Sequence, residues 1–529
     1  MTKLHEAYET RNKKINKIEG LKTLKTPQSV YDQLEQICAE GYENLKDEDS
    51  KFFLKCFGLF DKGEGEFMIR LRIAGGQLEP QQAATIGEIA QQYSRDYIDI
   101  TTRQQIELRY IPFAALAEVL QRLDTVGITT FQTGIDNFRN VVTSPFDGYD
   151  KTQYIACMPI IEALQTIFLK REEWIGILPR KFNTAILGSG TNDCNIYGHD
   201  CCFLPAQRDG IYGFNLYLGG KVAVQAQESG LFIKPDELTT VFEALIHLFK
   251  TYGFRDNRNK NRLHFLVESV GMENFAKALA EQSGLNLAES GELLLTTEHC
   301  LGDDGCVELA EGKKALLFAI PSGIFSGSDL IETAALARST GSHIRLSIEQ
   351  SFYLINDASK IGQLKASALY TKYKKFHNVY FTHQIACAGT ETCSFGVIPN
   401  KPDAIEMAEF LDRELPMESG KIRMHWSACP KGCGIHGIAD IGFEGCKAKD
   451  AEDKSCFGVH IFVGGKASFE AVEARQVFKA VPLTEAKEVV KKIVALYVNE
   501  RLEGESFELY DTRVLQALSV DQLRDKIMQ

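Results

Sequence analysis

Apolar positions along this chain repeat with two periods, and the changes between them mark its elements. Short runs rich in Val, Ile and Phe over 67–73, 316–320 and 459–463 predict strands, and Gly213-Phe-Asn-Leu-Tyr-Leu alternates as a half-buried strand does. Apolar residues at helical spacing predict helices over 80–93, 236–251, 331–338, 403–413 and 484–499. Strands and helices interleave throughout, so the expected class is α+β, with mixed sheets and helices packed on them.

The pattern occurs twice. Gly213-Phe-Asn-Leu-Tyr-Leu-Gly219-Gly220-Lys221 is matched by Gly458-Val-His-Ile-Phe-Val-Gly464-Gly465-Lys466. A second match pairs Ile73-Ala-Gly-Gly76 and Ile98-Asp-Ile-Thr-Thr-Arg-Gln104 with Ile320-Pro-Ser-Gly323 and Ile344-Arg-Leu-Ser-Ile-Glu-Gln350. Offsets of 245 to 247 recur at independent places, so one module is duplicated and fused, and the period is too long for a solenoid. Pseudo-twofold halves of this kind are expected to enclose a central site. The Gly-Gly-Lys turns are not phosphate loops: Asn215 and His460 stand where the leading glycine belongs, and Val222 and Ala467 replace the Ser or Thr after the lysine. They predict hairpin turns.

Composition narrows the class without changing it. A chain of 529 residues has length for about three domains. Its 44% apolar and 25% charged residues fit a soluble globular protein, and no apolar run reaches the ~18 residues of a membrane span. The first ten residues show no basic-then-apolar signal pattern, so a cytoplasmic location is expected, where cysteines ligate or pack and seldom cross-link. A net charge of −12 argues against nucleic-acid binding, and the Lys-rich stretch 11–25 reads as a solvated face. A monomer with no membrane partner is expected.

Four of the 14 cysteines carry the chemistry. Cys387-Ala-Gly-Thr-Glu-Thr-Cys393 and Cys429-Pro-Lys-Gly-Cys433 are two pairs in Gly-containing turns, each following an apolar run, 379–385 and 422–426. Single cysteines are more often core packing, but paired thiolates among small residues suit zinc or an iron–sulfur cluster. Spacers of five and three residues, where a zinc ribbon favours two, point to a cubane cluster.

Cations concentrate in the first half. Thr101-Thr-Arg103-Gln104 has an arginine where the later copy, Ser347-Ile-Glu349-Gln350, has a glutamate. Asp136-Asn-Phe-Arg139-Asn140 follows, then Leu178-Pro-Arg180-Lys181-Phe182-Asn183, before the Gly188-Ser-Gly190 loop whose counterpart by offset is the second cysteine loop. One half supplies cations where the other supplies thiolates, which fits a small oxyanion bound, stabilised and protonated during reduction. The plain alternative is that these are surface charges or ion-pair members.

These motifs together, over about residues 55 to 510, resemble the sirohaem-dependent nitrite and sulfite reductase family. The resemblance implies a [4Fe–4S] cluster on Cys387, Cys393, Cys429 and Cys433, with Cys433 also the axial ligand of sirohaem. It implies substrate-side roles for Arg103, Arg139, Lys181 and Asn183, and, more weakly, Arg109 and Arg180 as partners of sirohaem carboxylates. It also implies an N-terminal arm over 1–55, ferredoxin-like half-domains over 56–130 and 301–370, a sirohaem-binding first copy over 131–300, and a cluster-binding second copy over 371–529. Sulfite-reducing members resemble Arg-Lys-Phe-Lys where this chain has Arg180-Lys-Phe-Asn183; one fewer cation suits nitrite, a monoanion, so six-electron reduction of nitrite to ammonium is expected, with sulfite reduction to sulfide as runner-up. A non-catalytic electron-transfer or sensor protein is the remote third reading. No Gly-x-Gly-x-x-Gly fingerprint provides a nucleotide module, so electrons are expected from a separate carrier, ferredoxin or flavodoxin.

The other candidates read as decoys. Cys300 and Cys306 copy the five-residue spacing but have no second pair, and Cys201-Cys202 near His199 lacks a matching pair. Cys446 and Cys456 flank a charged loop, and His383, His425 and His436 are expected to be structural.

Overall fold

The computed structural model describes residues 1–221, 224–296, 299, 301–468, 470 and 472–529. Two small sheets and two large ones organise the chain. The first small sheet runs Leu59–Gly63, Glu66–Arg70, Ile106–Pro112, Tyr97–Ile100, and closes with Ile324–Ser326 from the later copy. The second runs Cys306–Glu308, Lys313–Phe318, Phe352–Asp357, His343–Leu346, and closes with Gln77–Leu78 from the earlier copy. Each half lends the other an edge strand: Phe325 pairs with Ile98, and Leu78 with Ile344. The exchange covers an edge that would otherwise be an open template for pairing.

Helices Pro80–Tyr93 and Gly327–Thr340 seal the exchange. A Cβ on Gly87 would sit 2.6 Å from the Gly327 carbonyl oxygen, and one on Gly327 2.6 Å from the Gly87 carbonyl, so only glycine permits this crossing. A single apolar core runs through both sheets, from Phe67 and Ile98 to Phe318 and Leu354. Gln104 and Gln350 tie the halves reciprocally: Gln104 Nε2 donates to the Leu346 carbonyl and Gln350 Nε2 to the Ile100 carbonyl, each at 3.0 Å. Both glutamines have positive φ, 53° and 59°. That shared task explains why Gln stands in both copies while its neighbour switches from Arg to Glu.

The large sheets repeat one topology. In the first, Phe138–Val142, Phe182–Ile186 and Cys201–Arg208 are parallel, and antiparallel Ile211–Leu218 and Gln227–Ile233 continue it. In the second, Gln384–Ala386, Met424–Ser427 and Ile441–Lys449 are parallel, followed by Ser455–Val463 and Arg475–Pro482. The Gly-Gly-Lys segments join antiparallel neighbours, with Gly219 and Gly464 at φ 85° and 81°. The other predicted helices are observed as Leu238–Tyr252, Lys401–Glu414 and Leu483–Glu500, and the predicted strands as Glu66–Arg70, Lys313–Phe318 and Ser455–Val463.

The N-terminal residues fold as short helices against the first half, with Leu4 in the core of its large sheet and Val30 and Leu34 in the small-sheet core. Among the described residues no helix is long and apolar enough to cross a membrane.

Candidate functional site

The cysteine loops leave the same end of two parallel neighbours. Ala386 pairs with Trp426, so Cys387, one residue past its strand, and Cys429, two past its own, emerge side by side. The turns are tight because glycine lets backbone pass backbone: a Cβ on Gly389 would lie 1.6 Å from the Pro399 carbonyl oxygen, and one on Gly434 1.9 Å from that of Trp426. Cys387 Sγ accepts the Ala428 N–H at 3.2 Å and the Asn400 amide at 3.6 Å. Burial pushes the Cys387 thiol up to about 12, and the nearby Cys433, Cys429 and Cys393 add to it. Burial likewise raises Cys429, with Cys433 and Cys393 contributing.

Burial and neighbouring thiols keep Cys387 and Cys429 from ionising, and a bound metal cluster would reverse that by taking the thiolates as ligands. Among the described residues only Asp150, Asp193 and His299 bring ligand atoms within 4.8 Å of one another, so the four sulfurs are spread wider than the ligands of a single zinc ion. A donor set of four cysteine sulfurs fits a multi-iron cluster.

Opposite Cys433 lies a cleft of about 680 Å³, partly open to solvent, lined by Arg103, Lys181, Asn183, His199 and Arg262 from the first copy and by Cys433 from the second. Neither the Arg103 guanidinium nor the Lys181 ammonium makes a side-chain hydrogen bond or ion pair among the described residues. Burial, then Arg70 and Arg262, lower Arg103 to about 10 while Cys433 pulls the other way. Burial, then Arg103 and Arg262, hold Lys181 well below the ordinary lysine range. Asn183 Oδ1 is buried without a partner. Two half-buried cations with no carboxylate beside them repel one another, and a bound anion would relieve that repulsion.

The remaining predicted residues divide. Arg139 stands behind the cleft, 6% exposed, its guanidinium donating to the Ile135 carbonyl at 2.9 Å and felt by Arg70, Arg103 and Arg180. Arg180 is half-buried and pairs with no carboxylate among the described residues, its Nε donating to the Arg258 carbonyl at 3.2 Å. Arg109 corrects an expectation: its Nε donates to Asp99 and its Nη2, at 2.6 Å, to Glu107, and Lys401 joins Asp99 at 2.5 Å, so its charge is answered by two carboxylates inside the protein. The strand pattern held the signal, because Glu107 and Arg109 share a face and Asp99 pairs directly with Glu107.

Several residues in and behind the cleft lining were not foreseen. Asp200, fully buried, accepts the Asn183 N–H at 2.8 Å and both arms of Arg262 at 2.8 and 2.7 Å, fixing the strand that carries Asn183. His199 is buried, which lowers it to about 4, so it is neutral. Asn195 and Ile435, at matching places in the two copies, have φ of 46° and 52°. A β-branched residue in that region is strained, and both line the cleft.

A second cavity of about 620 Å³ occupies the pseudo-symmetric position, lined by Glu349, Lys421, Arg423, Asp193, His299 and His383. Its charges are paired: Arg423 with Asp440 at 2.7 Å and Glu508 at 2.6 Å, His383 with Glu349 at 3.4 Å. His299 sits 3.1 Å from Asp150 and 2.8 Å from Asp193. Burial opposes its charge, but Asp193 and Asp150 prevail and raise it to about 10, so both ring nitrogens carry protons and none is offered to a metal. Of the decoys, Cys201, Cys202 and Cys306 are buried and free, Cys300 lies outside the described residues, and His436 is held between Ser427 and Glu444.

Comparison with known proteins agrees with this geometry. The family model described as nitrite and sulphite reductase 4Fe-4S domain matches residues 134–287 and 382–528, and the nitrite/sulfite reductase ferredoxin-like half domain matches 60–126. Ferredoxin–nitrite reductase of Synechococcus elongatus is 32% identical over 495 residues, covering 91% of this chain and 96% of that protein. The chloroplastic ferredoxin–nitrite reductase of Spinacia oleracea is 30% identical, covering 92% and 85%. The solved structure of Mycobacterium tuberculosis NirA protein superposes with a TM-score of 0.85 at 25% identity, covering 97% of this chain and 98% of that one.

Proposed function

Because the chain belongs to the nitrite and sulphite reductase family, we propose that it reduces nitrite to ammonium with electrons from ferredoxin. The balance is NO2⁻ with six electrons and eight protons giving NH4⁺ and two waters. The observation that carries the reading is the pair of cations, Arg103 and Lys181, that line one cleft with Cys433 and have no side-chain partner among the described residues. The Synechococcus elongatus and Spinacia oleracea relatives are ferredoxin–nitrite reductases.

Cys387, Cys393, Cys429 and Cys433 would hold a [4Fe–4S] cluster, Cys433 would also meet the iron of sirohaem, and the two groups together would supply electrons one at a time at the cleft. Arg103 and Lys181 bind the anion and hold its charge in a pocket where Coulomb attraction is weakly screened. Arg139 adds field from behind. Lys181, its proton loosened by burial, is the group suited to hand a proton to a departing oxygen. Asn183 lines the cleft with an amide whose Nδ2–H can donate to the anion and which brings no second positive charge. Arg180, without a carboxylate partner, suits the acidic rim of the macrocycle. The chain divisions at 56, 131, 301 and 371, a monomeric state and a cytoplasmic site belong to the same proposal.

Steady-state turnover of the purified holoenzyme, with reduced methyl viologen and with ferredoxin, on nitrite and on sulfite, tests it. A higher kcat/KM for nitrite is expected. A preference for sulfite overturns the assignment of Asn183, and an optical spectrum without haem and iron–sulfur absorption overturns the whole reading.

A further inference from the structure

We propose that Lys22, in the N-terminal arm, is a positioning residue for the anion site, holding in register two parallel strands, one carrying Arg139 and the other starting directly after Lys181. The inference rests on the reading that this cleft takes nitrite. Residues 1–59 lie outside both family-model matches, so no role for Lys22 comes from them.

Lys22 is nearly enclosed, its side chain 9% exposed. Its ammonium reaches three groups: Glu19 at 2.7 Å, Asp136 at 3.0 Å and the Leu178 carbonyl at 2.7 Å. The last two are its link to the site. Asp136 lies three residues before Arg139, and Leu178 three before Lys181. The strands that follow, Phe138–Val142 and Phe182–Ile186, are parallel neighbours with Phe138 opposite Phe182. One ammonium therefore clamps the entrances of both strands.

The clamp is also electrostatic. Asp136 is fully buried and shares its carboxylate between Lys22 and a bidentate Arg258, at 2.8 and 2.7 Å. Arg139 and Arg180 feel the same carboxylate. With Lys22 in place, Asp136 is compensated away from the cleft, and the field of the site cations is left for the anion. Without it, a buried carboxylate short of one partner turns its field on Arg180 and Arg139. Glu19 limits the effect by drawing on Lys22 itself, and it is held in turn by Arg255 at 2.6 Å.

A residue that shapes the field without touching the reacting atoms alters binding of ground state and transition state alike, so KM moves and kcat does not. In the holoenzyme with reduced methyl viologen, Lys22→Gln keeps a donor for the Leu178 carbonyl but loses the charge; KM for nitrite should rise about tenfold with kcat within about twofold. Lys22→Arg should restore KM to within about twofold. Should Lys22→Gln not fold, Glu19→Gln gives the opposite sign: it frees Lys22 for Asp136 and should lower KM. An unchanged KM in the variant that folds, a fall in kcat at constant KM, or no rescue by arginine overturns the proposal. A wild-type enzyme that turns over no nitrite takes down the functional reading and this one with it, whereas normal wild-type turnover with unaffected variants takes down only this one.

Discussion

The two cavities across the pseudo-dyad are built from matching positions, yet only one is suited to an anion. Lys181 and Lys421 correspond, as do Asn183 and Arg423, Arg103 and Glu349, Cys433 and Asp193. The mate does not lack cations. Its Arg423 answers Asp440 and Glu508, its imidazolium His299 answers Asp150 and Asp193, and Lys421 is likewise engaged. In the other cavity Arg103 and Lys181 have no side-chain partner among the described residues. An anion site is therefore made by withholding internal anions as much as by supplying cations, and duplication allowed one copy to neutralise itself while the other stayed charged.

Exchanging residues between the cavities should break this contrast in graded steps. Cys433→Asp brings in the residue of the mate and should cost more than about 10³-fold in nitrite turnover, because on the proposed reading the electron-carrying group would lose a ligand; iron content and the optical spectrum check it alongside rate. Arg103→Glu copies Glu349 and reverses one charge at the anion, so kcat/KM for nitrite should fall on the order of 10²-fold with the spectrum retained. Asn183→Lys overshoots toward a dianion site and should shift the sulfite-to-nitrite ratio of kcat/KM by about tenfold in favour of sulfite. Raising the pH sharpens the contrast without mutation. Lys181 sits below the ordinary lysine range, so its charge is lost earlier on the alkaline side and KM for nitrite should climb before a free lysine would titrate.

The smallest effect belongs to the mate. His299 is raised to about 10 in the folded protein, above the ordinary histidine value of about 6.5. A raised pKa adds stability that is complete below about pH 6.5 and disappears as pH climbs toward about 10. His299→Gln should lower Tm by a few degrees near pH 6, with the difference shrinking at pH 10 and nitrite turnover unchanged.

Much of this was legible because it was contiguous. The Gly-Gly-Lys repeats, the two cysteine loops and the Thr-Thr-Arg-Gln motif each sit within a few residues and carry their meaning in spacing alone. What escaped was held at a distance. Asp200 is completed by Arg262, 62 residues on, and the mate achieves the same tie with Arg423, only 17 residues from Asp440, so no shared pattern linked them. Arg109 was misassigned because an arginine near a motif looks available until its strand partners are counted. The reciprocal loan of edge strands left no trace either, since Gln77–Leu78 and Ile324–Ser326 are too short to read as strands.

That loan has a consequence for how the chain is made. Leu78 cannot find its strand until Ile344 has left the ribosome, and Ile98 waits likewise for Phe325. At about 5–20 residues per second, the first small sheet emerges and stays incomplete for roughly 10–50 s. Throughout that interval Tyr97–Ile100 presents an uncovered edge, and a second nascent copy carries the same unmatched strand. Yield in a cell should then depend on how crowded the translating message is, and on whether a chaperone reaches the edge before another nascent chain does.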